Sequence, residues 1–233
     1  PGKYTTCDLN IITDESYIQN APNVDYGEIS PRLFFWDIET FASKSGEFPN
    51  SSNPEDVIFM ISIITVNSQG QFNGYVIVKG DVNPELINQN DGNMVLIKAK
   101  DEKEVLSHFF AIYNTFKPDR QIYYNGDMFD MPYLLNRLAI HNMDIPKITK
   151  ILSLTPRIIQ HQYPTPFGRE VERTMQLPGT EILDLLHYYR RFYPHLRNHR
   201  LDTVANTFIK EGKTDLTIDE MMDAVRTDDP EKF

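Results

Sequence analysis

The chain contains 233 residues, of which 33 are acidic and 23 are basic, giving a formal net charge of −10 at pH 7. This acidic balance argues against broad, non-specific binding to duplex nucleic acid, which requires a basic face. It leaves room for a metal-dependent nucleic-acid enzyme, because bound cations would neutralise an acidic site. Cys7 is the only cysteine, so an internal disulfide and a cysteine-based zinc site are both excluded. No apolar run approaches the roughly 18 to 20 residues of a membrane span, and we expect no membrane partner.

The hydrophobic pattern of the first part of the chain predicts alternating strands and helices. Residues 1–31 are polar and are expected to form a lead-in segment rather than a second domain. Strands are predicted where apolar residues run together, and helices where they recur every three or four positions. The predicted strands are 32–38, 57–66, 74–78 and 121–125, and the predicted helices are 101–116 and a helix starting at Pro132. The first strand is expected to be buried on both faces, because its apolar residues are continuous.

The second part of the chain is predicted to contain a hairpin followed by helices. Residues 157–162 and 170–177 would form the two arms, across a turn rich in proline and glycine. Helical patterns follow at 182–192, 201–209 and 217–225. Strands early in the chain and helices later indicate a single α/β domain with a mixed sheet.

The stretch LFFWDIET, at residues 33–40, places two carboxylates at the end of the most apolar predicted strand. Side chains two residues apart on a strand point to the same side, so Asp37 and Glu39 would project together. Active sites collect at strand ends in open α/β sheets, and paired carboxylates suit a hard divalent cation. Taken alone, such a pair is more often a solvated strand exit.

A second polar stretch, YYNGDMFDMPY at residues 123–133, strengthens the case for a site. Asp130 lies at the start of the predicted Pro132 helix, where the helix dipole favours negative charge. Asn125 ends the preceding strand and is placed to hydrogen-bond a substrate or the loop. Asp127 is interpreted as a turn or helix-cap residue.

Together, FWDIET and YNGDMFDMPYLLNR closely resemble the Exo I and Exo II motifs of the 3′–5′ exonuclease domain of family B DNA polymerases, in the order in which that family has them. The stretches LPGTEILDLLHYYRR and HRLDTVANTFIKEGKTDL also resemble the segment that follows Exo II. The resemblance extends from residue 32 to about residue 225. It implies an α/β, ribonuclease-H-like fold of the DEDD exonuclease type, with helices flanking a central mixed β-sheet.

The resemblance also implies a site for two Mg²⁺ or Mn²⁺ ions. Asp37 would bridge both metals, Glu39 would bind the first, and Asp130 would hold the second, largely through water. One metal would activate the attacking water and the other would stabilise the leaving 3′ oxygen, so that a nucleoside 5′-monophosphate is released. The residues implied to contact or underlie the substrate are Asn125, Phe129, Tyr133, Thr40 and Phe41.

The function implied by the resemblance is proofreading during DNA replication. The substrate would be the single-stranded 3′ end of a primer–template, and the partners would be the remaining polymerase domains and a processivity clamp. The protein would be intracellular and would act at replication sites, in a nucleus, a virus factory or a prokaryotic cytoplasm. The hairpin at 157–177 would either separate primer from template or be a plain surface hairpin. Two alternatives stay open: a non-catalytic structural module of a polymerase, and a freestanding DEDD-type DNA or RNA exonuclease.

The fourth acid of the family pattern is missing. It stands in an Exo III motif, Tyr-x-x-x-Asp, and no such spacing follows Exo II in this sequence. The chain also begins with Pro-Gly, so we expect a piece of a longer protein: a lead-in from the polymerase N-terminal region at 1–31 and an exonuclease domain at 32–233, truncated before Exo III. Such a fragment is expected to be inactive or very weak. Asp184 is interpreted as structural and Asp202 as a helix cap, rather than as substitute metal ligands.

Two other patterns have simpler explanations that we favour. His195 and His199 have the i, i+4 spacing of a zinc pair, but Pro194 and Asn198 argue against a helix there. Residues 187–200 form a basic island in which arginines alternate with aromatic residues, as a single-strand-binding surface requires. Helical spacing alone predicts instead an aromatic face toward the core, with the arginines in solvent.

Overall fold

The structure is a computed structural model that describes residues 14–17, 30–44, 46–81, 93–144, 157–165, 168–177 and 179–210. These residues contain eight β-strands and four α-helices, together with a short 3-10 turn at Glu15–Tyr17. The predicted helix at 217–225 and most of the predicted lead-in segment lie outside the described residues. Of the described helices, none has the length and hydrophobicity needed to cross a membrane.

A mixed sheet of six strands forms the centre of the fold, as the sequence pattern predicted. The strands of the chain are β1 Leu33–Thr40, β2 Ile58–Val66, β3 Phe72–Lys79, β4 Met94–Ala99, β5 Arg120–Tyr123, β6 Arg157–Thr165, β7 Gly168–Gln176 and β8 Glu181–Asp184. The order in the large sheet is β4-β3-β2-β1-β5-β8. Strands β1, β5 and β8 run parallel, so their carboxyl ends lie at one edge of the sheet.

Four helices accompany the sheet: α1 Glu102–Phe116, α2 Asp130–Ile140, α3 Leu185–Phe192 and α4 Leu201–Phe208. Helix α1 begins where the Asp101 side chain accepts the Glu104 N–H at 2.9 Å, an N-cap that satisfies a free backbone donor. Helix α2 begins at Asp130 and not at Pro132. The helix predicted over 182–192 is shorter than expected, because residues 181–184 pair with β5 as strand β8. Pairing with a neighbouring strand there outweighs the helical spacing of the apolar residues.

Strand β1 alternates in burial, which corrects the prediction that both its faces are buried. Phe34, Trp36 and Ile38 lie in the core, whereas Asp37, on the opposite face, is exposed. The rings of Phe34 and Trp36 pack against Phe109 of α1, with centroids 5.8 and 5.1 Å apart. The strand therefore has one face in the core and presents its carboxylates on the other.

Strand β4 was not predicted from the sequence. It is an edge strand parallel to β3, and most of its residues are partly or fully exposed. A strand of this kind lacks the continuous apolar run that marked β1 and β2. Its neighbour β3 starts at Phe72, two residues before the predicted start.

The predicted hairpin is confirmed and its arms are longer than expected. Strands β6 and β7 form a separate antiparallel pair in which Arg157 faces Gln176. On β7, the Arg173 N–H donates to the Asp127 carbonyl at 3.0 Å, and Met175 is buried in the main core. The hairpin is therefore attached to the loop that precedes α2.

A buried ion pair joins α2 to α1. The Arg137 and Glu102 side chains are 1% and 3% exposed, and the guanidinium donates to both carboxylate oxygens at 2.8 and 2.7 Å. Arg137 also donates to the carbonyls of Asn53 and Pro54, while Glu102 accepts the Ile58 N–H at 2.7 Å. These bonds fix α2 relative to the connection between β1 and β2.

Candidate active site

Two of the predicted acids project from the carboxyl end of β1. Asp37 and Glu39 occupy alternate positions, and both lie on the face opposite the buried Trp36 and Ile38. Asp37 is exposed and Glu39 is partly buried. The pairing with β2 shifts register between Glu39 and Thr40, an irregularity that bends a strand and redirects its side chains.

Helix α2 brings the third predicted acid to the same strand. Asp130 is its first residue and is 4% exposed, and its Oδ1 accepts the Ile38 N–H at 3.2 Å. Ladder pairing between β1 and β5 extends only to Phe35 opposite Ile122, so the Ile38 N–H lies beyond the β5 partner residues. The carboxylate thus satisfies a backbone donor at the end of the ladder.

The carboxyl groups of Asp37 and Asp130 contact each other. Burial, together with the charge of Asp37 and a hydrogen bond between the two carboxyl groups, raises the pKa of Asp130 to about 8. The hydrogen bond from the Ile38 N–H acts in the opposite direction. Two carboxyl groups in this arrangement cannot both ionise cheaply unless a positive charge joins them.

The donor set fits a hard divalent cation. Carboxylate oxygens are the ligands that Mg²⁺ and Mn²⁺ prefer. In the described part of the chain, neither Asp37 nor Asp130 has a lysine or arginine within ion-pair distance. A cation between the two carboxylates would remove their mutual repulsion. Glu39, two residues beyond Asp37 on the same face of β1, is the third candidate ligand.

The loop between β5 and α2 is organised by Asp184, at the end of β8. Its carboxylate accepts three backbone N–H groups, from Asn125 at 2.9 Å, Asp127 at 3.2 Å and Leu186 at 2.9 Å. The bond to Leu186 caps α3, and the other two hold the loop. Asn125 adopts a left-handed backbone conformation with φ of 62°, which asparagine tolerates better than most residues. The geometry supports the structural role expected for Asp184.

Asp127 takes part in the fold of the same loop. The Tyr123 hydroxyl donates to its carboxylate, and burial together with the nearby Asp127 charge raises the pKa of Tyr123 far above its usual range. Asp127 is not the cap of α2, because that position belongs to Phe129, which makes no side-chain cap bond. The turn interpretation of Asp127 is thus correct and the cap interpretation is wrong.

A second group of potential metal ligands was not predicted. One ligand atom from each of Asp127, Asp184 and His187 lies within 4.8 Å of the others. This cluster could hold a metal ion. However, both oxygens of Asp184 already accept backbone N–H groups, and Asp127 accepts the Tyr123 hydroxyl. Its carboxylates therefore have a fuller structural explanation than the pair of Asp37 and Asp130, of which Asp130 accepts the Ile38 N–H.

The residues expected to contact the substrate are close to the three acids in the sequence. Phe129 is 37% exposed, and its ring centre is 5.6 Å from that of Tyr133. Tyr133 is buried and its hydroxyl donates to the Asp56 carbonyl at 2.9 Å. Its expected place beneath the site stays a prediction. Thr40 is buried, and the Phe41 N–H donates to the Val57 carbonyl at 2.8 Å.

The remaining candidate ligands do not form a site in the described residues. Asp202 is in the first turn of α4, but Arg200 occupies the N-cap position, so the cap interpretation of Asp202 is wrong. His195 and His199 lie in the irregular connection between α3 and α4, as Pro194 suggested. The His199 ring approaches the Tyr193 carbonyl at 3.0 Å. Neither histidine belongs to a metal-ligand cluster of the described residues.

Comparison with known proteins agrees with this architecture. Residues 1–204 match the family model described as DNA polymerase family B, exonuclease domain. The DNA polymerase delta catalytic subunit of Schizosaccharomyces pombe (strain 972 / ATCC 24843) is 30% identical over 189 residues, covering 79% of this chain and 16% of the relative. That of Candida albicans is 27% identical over 219 residues, covering 92% and 20%. A DNA polymerase of Invertebrate iridescent virus 6 is 24% identical over 227 residues, covering 92% and 17%.

The sheet and its flanking helices define an α/β, ribonuclease-H-like exonuclease domain. The chain belongs to the exonuclease domain family of family B DNA polymerases, whose usual function is proofreading. It spans a fifth or less of the length of these curated relatives.

Proposed function

We propose that Asp37, Glu39 and Asp130 bind Mg²⁺ or Mn²⁺ and that their site hydrolyses the 3′-terminal phosphodiester of single-stranded DNA, releasing a nucleoside 5′-monophosphate. The contact between the Asp37 and Asp130 carboxyl groups carries this proposal, because it is unfavourable without a cation and suits one. When bound, the metal ions would supply an activated water and stabilise charge on the leaving oxygen.

The protein groups around these acids have separate roles in the proposal. The Ile38 N–H orients Asp130, and the buried ion pair of Arg137 and Glu102 fixes the helix that carries it. The partly exposed ring of Phe129, supported by the buried Tyr133, offers an aromatic face for a terminal base. Asn125, Thr40 and Phe41 adjoin the acids in sequence and are proposed to border the terminal nucleotides.

The wider role is proposed from the relatives, which are DNA polymerases of eukaryotes and viruses. The domain would remove mispaired 3′ ends from a primer–template at replication sites, together with the polymerase domains and a processivity clamp. We propose that residues 1–31 lead into the exonuclease domain at 32–233. The fourth acid would come from an Exo III segment that is not among the 233 residues, so this chain alone would hydrolyse DNA very weakly.

The test of this proposal is an exonuclease assay on a 5′-labelled single-stranded oligonucleotide with Mg²⁺. The enzyme would be a longer chain that includes an Exo III motif, because the 233 residues are expected to be nearly inactive. Replacing both acids of β1, Asp37→Ala with Glu39→Ala, should abolish release of the terminal nucleotide. The proposal fails if the double variant degrades the oligonucleotide as fast as the unchanged chain.

A second candidate function is a non-catalytic module that keeps the exonuclease fold and braces a polymerase. In this alternative Asp37, Glu39 and Asp130 would have no catalytic role. Calorimetric titration with Mn²⁺ separates the two functions. A structural module would bind no metal at Asp37 and Asp130, whereas the proofreading domain would bind it even with one acid missing.

A further inference from the structure

Helix α3 and its connection to α4 carry a surface of exposed aromatic and arginine side chains. The arginine surface, as we name it, consists of Tyr188, Phe192, Arg190, Arg191, Arg197 and Arg200, all of which are exposed. Tyr188 and Phe192 are 40% and 58% exposed, and their ring centres are 4.8 Å apart. These two rings therefore do not face the core, contrary to the explanation favoured from helical spacing.

Only the other aromatic side of α3 follows the expected packing. Tyr189 and Tyr193 contact the Phe208 ring of α4, with centroids 5.2 and 4.7 Å apart. These contacts pack α3 against α4, and the exposed rings of Tyr188 and Phe192 take no part in them. Tyr188 and Phe192 thus remain exposed, and the Arg191 guanidinium lies 5.6 Å from the Phe192 ring centre. Arg190, two residues from each ring along the helix, projects from a different side of α3.

Three of the described arginines outside this surface are paired with acids, although Arg157 and Arg173 are not. Arg32, Arg120 and Arg137 each form an ion pair with an acid, at 3.0, 2.6 and 2.7 Å. In the part of the chain that the structure describes, no guanidinium of the arginine surface has a carboxylate within ion-pair distance. These four arginines fall within residues 190–200 and concentrate positive charge there, in a chain of net charge −10. They indicate an anionic partner.

The topology places this surface on the same edge of the sheet as the three acids. Strands β1, β5 and β8 are parallel neighbours, and α3 starts directly at the carboxyl end of β8. Asp184, at that end, is level in the sheet with Trp36, the residue before Asp37, and two strand spacings put these positions roughly 10 Å apart. The loop between β5 and α2 is bonded to the end of β8, because Asp184 accepts the Asn125 N–H. It is also bonded to the connection between α3 and α4, because the Tyr124 hydroxyl donates to the His199 carbonyl at 2.8 Å.

We propose that the arginine surface binds the single-stranded nucleic acid that enters the site of Asp37 and Asp130, several nucleotides upstream of the terminal bond. This inference rests on the proposed function and extends it to a second contact region. Unstacked bases would lie on Tyr188 and Phe192, and the arginines would pair with phosphates. A duplex is a poorer fit, because its bases cannot reach aromatic rings and the remainder of the chain is acidic.

Fluorescence anisotropy of a labelled oligo-dT of about 12 nucleotides tests the proposal on the 233-residue chain. EDTA is present throughout, so binding is measured without metal and without hydrolysis. The first variant, Arg190→Gln with Arg191→Gln, should weaken binding and lower the slope of log K against log salt by about 1.4, or about 0.7 for each lost phosphate contact. The second, Tyr188→Leu with Phe192→Leu, should weaken binding at least about fivefold with the slope unchanged.

The matched control is Arg32→Gln with Arg120→Gln. It removes the same amount of charge at the amino-terminal ends of β1 and β5, opposite the ends that lead to the site. The control should leave the affinity for the oligonucleotide and the salt slope close to those of the unchanged chain. The proposal is overturned if the control weakens binding as much as the arginine variant. It is also overturned if the aromatic variant binds normally, which is the result expected if these rings are instead covered by an apolar protein partner. Either failure would leave metal binding by Asp37 and Asp130 intact and would thus be separate from failure of the proposed function.

Discussion

The backbone N–H of Ile38 donates to Oδ1 of Asp130 across a distance of 3.2 Å. Ile38 stands between the two acids of β1, so this bond brings the first residue of α2 directly to the strand that carries Asp37 and Glu39. It also explains how a 4%-exposed carboxylate is tolerated there, because one of its oxygens has a backbone donor. Burial, and after it the charge of Asp37, still disfavour the ionised form of Asp130.

The first prediction concerns the variant Asp130→Asn in metal-free buffer. Its side-chain oxygen can still accept the Ile38 N–H, but the group no longer ionises. Because the folded-state pKa of Asp130 is raised to about 8 from its usual 3.8, ionisation opposes folding, and wild-type stability is lost as the pH rises from about 4 to 8. We therefore expect the variant to be more stable than the wild type at pH 8, by on the order of 1 kcal/mol or more.

Thermal unfolding in EDTA at a series of pH values measures this difference. The gap between the variant and the wild type should be small near pH 4 and should widen toward pH 8. Mn²⁺ should reverse the order by stabilising the wild type alone. A gap that stays constant over the whole range would show that Asp130 does not titrate as its burial requires.

The second prediction concerns Asp184. Removing its carboxylate in Asp184→Ala leaves the N–H groups of Asn125, Asp127 and Leu186 without their acceptor. Loss of a cap and of buried hydrogen bonds should lower the free energy of unfolding by about 2 kcal/mol or more. Urea unfolding provides the measurement. Asp81→Ala is the control, because Asp81 is highly exposed and its ion pair with Lys98 should contribute little.

A structural role for Asp184 also predicts how Asp184→Asn behaves. The amide keeps one oxygen that can serve Asn125 and Leu186, so part of the stability should return relative to alanine. If Asp184→Asn is no more stable than Asp184→Ala, or if Asp184→Ala matches the Asp81→Ala control, the carboxylate does not hold the loop.

The third prediction concerns the buried pair of Glu102 and Arg137. Either single change, Glu102→Gln or Arg137→Met, breaks the buried pair and should cost about 3 to 5 kcal/mol. In Arg137→Met, the Glu102 carboxylate keeps the His141 ring, 2.6 Å away, as a side-chain partner. The double change should cost clearly less than the sum, because it removes both charges. A double-mutant cycle by urea unfolding measures the coupling. If the loss of unfolding free energy in the double variant equals the sum of the two single losses, the two side chains are not coupled as an ion pair.

The sequence was sufficient for the class of fold, and it named the acids of the candidate site. The continuous apolar run before Asp37 located β1, and the helical spacing of residues 101–116 located α1 almost to the residue. The pairing of Asp37 with Glu39 followed from the two-residue repeat of a strand. The approach of Asp130 followed from the resemblance between the two motifs and the family, not from spacing, since Asp130 lies 93 positions after Asp37 (130 − 37 = 93).

Long-range contacts account for what the sequence did not reveal. Strand β8 was read as helix because its pairing with β5 depends on residues about 60 positions away. The three bonds accepted by Asp184, and the burial of Arg137 against Glu102, likewise depend on elements that are distant in the chain. The exposure of Tyr188 and Phe192 was missed, because helical spacing shows that residues share a face but not what covers that face.

Titration of the 233-residue chain with Mn²⁺ by calorimetry tests the central claim most directly. The wild type should bind Mn²⁺, and Asp37→Ala and Asp130→Ala should each weaken binding about tenfold or more, as loss of a ligand does, while His187→Gln should leave it unchanged. Full binding in both aspartate variants, with binding lost in His187→Gln, would contradict the account and place the metal at Asp127, Asp184 and His187.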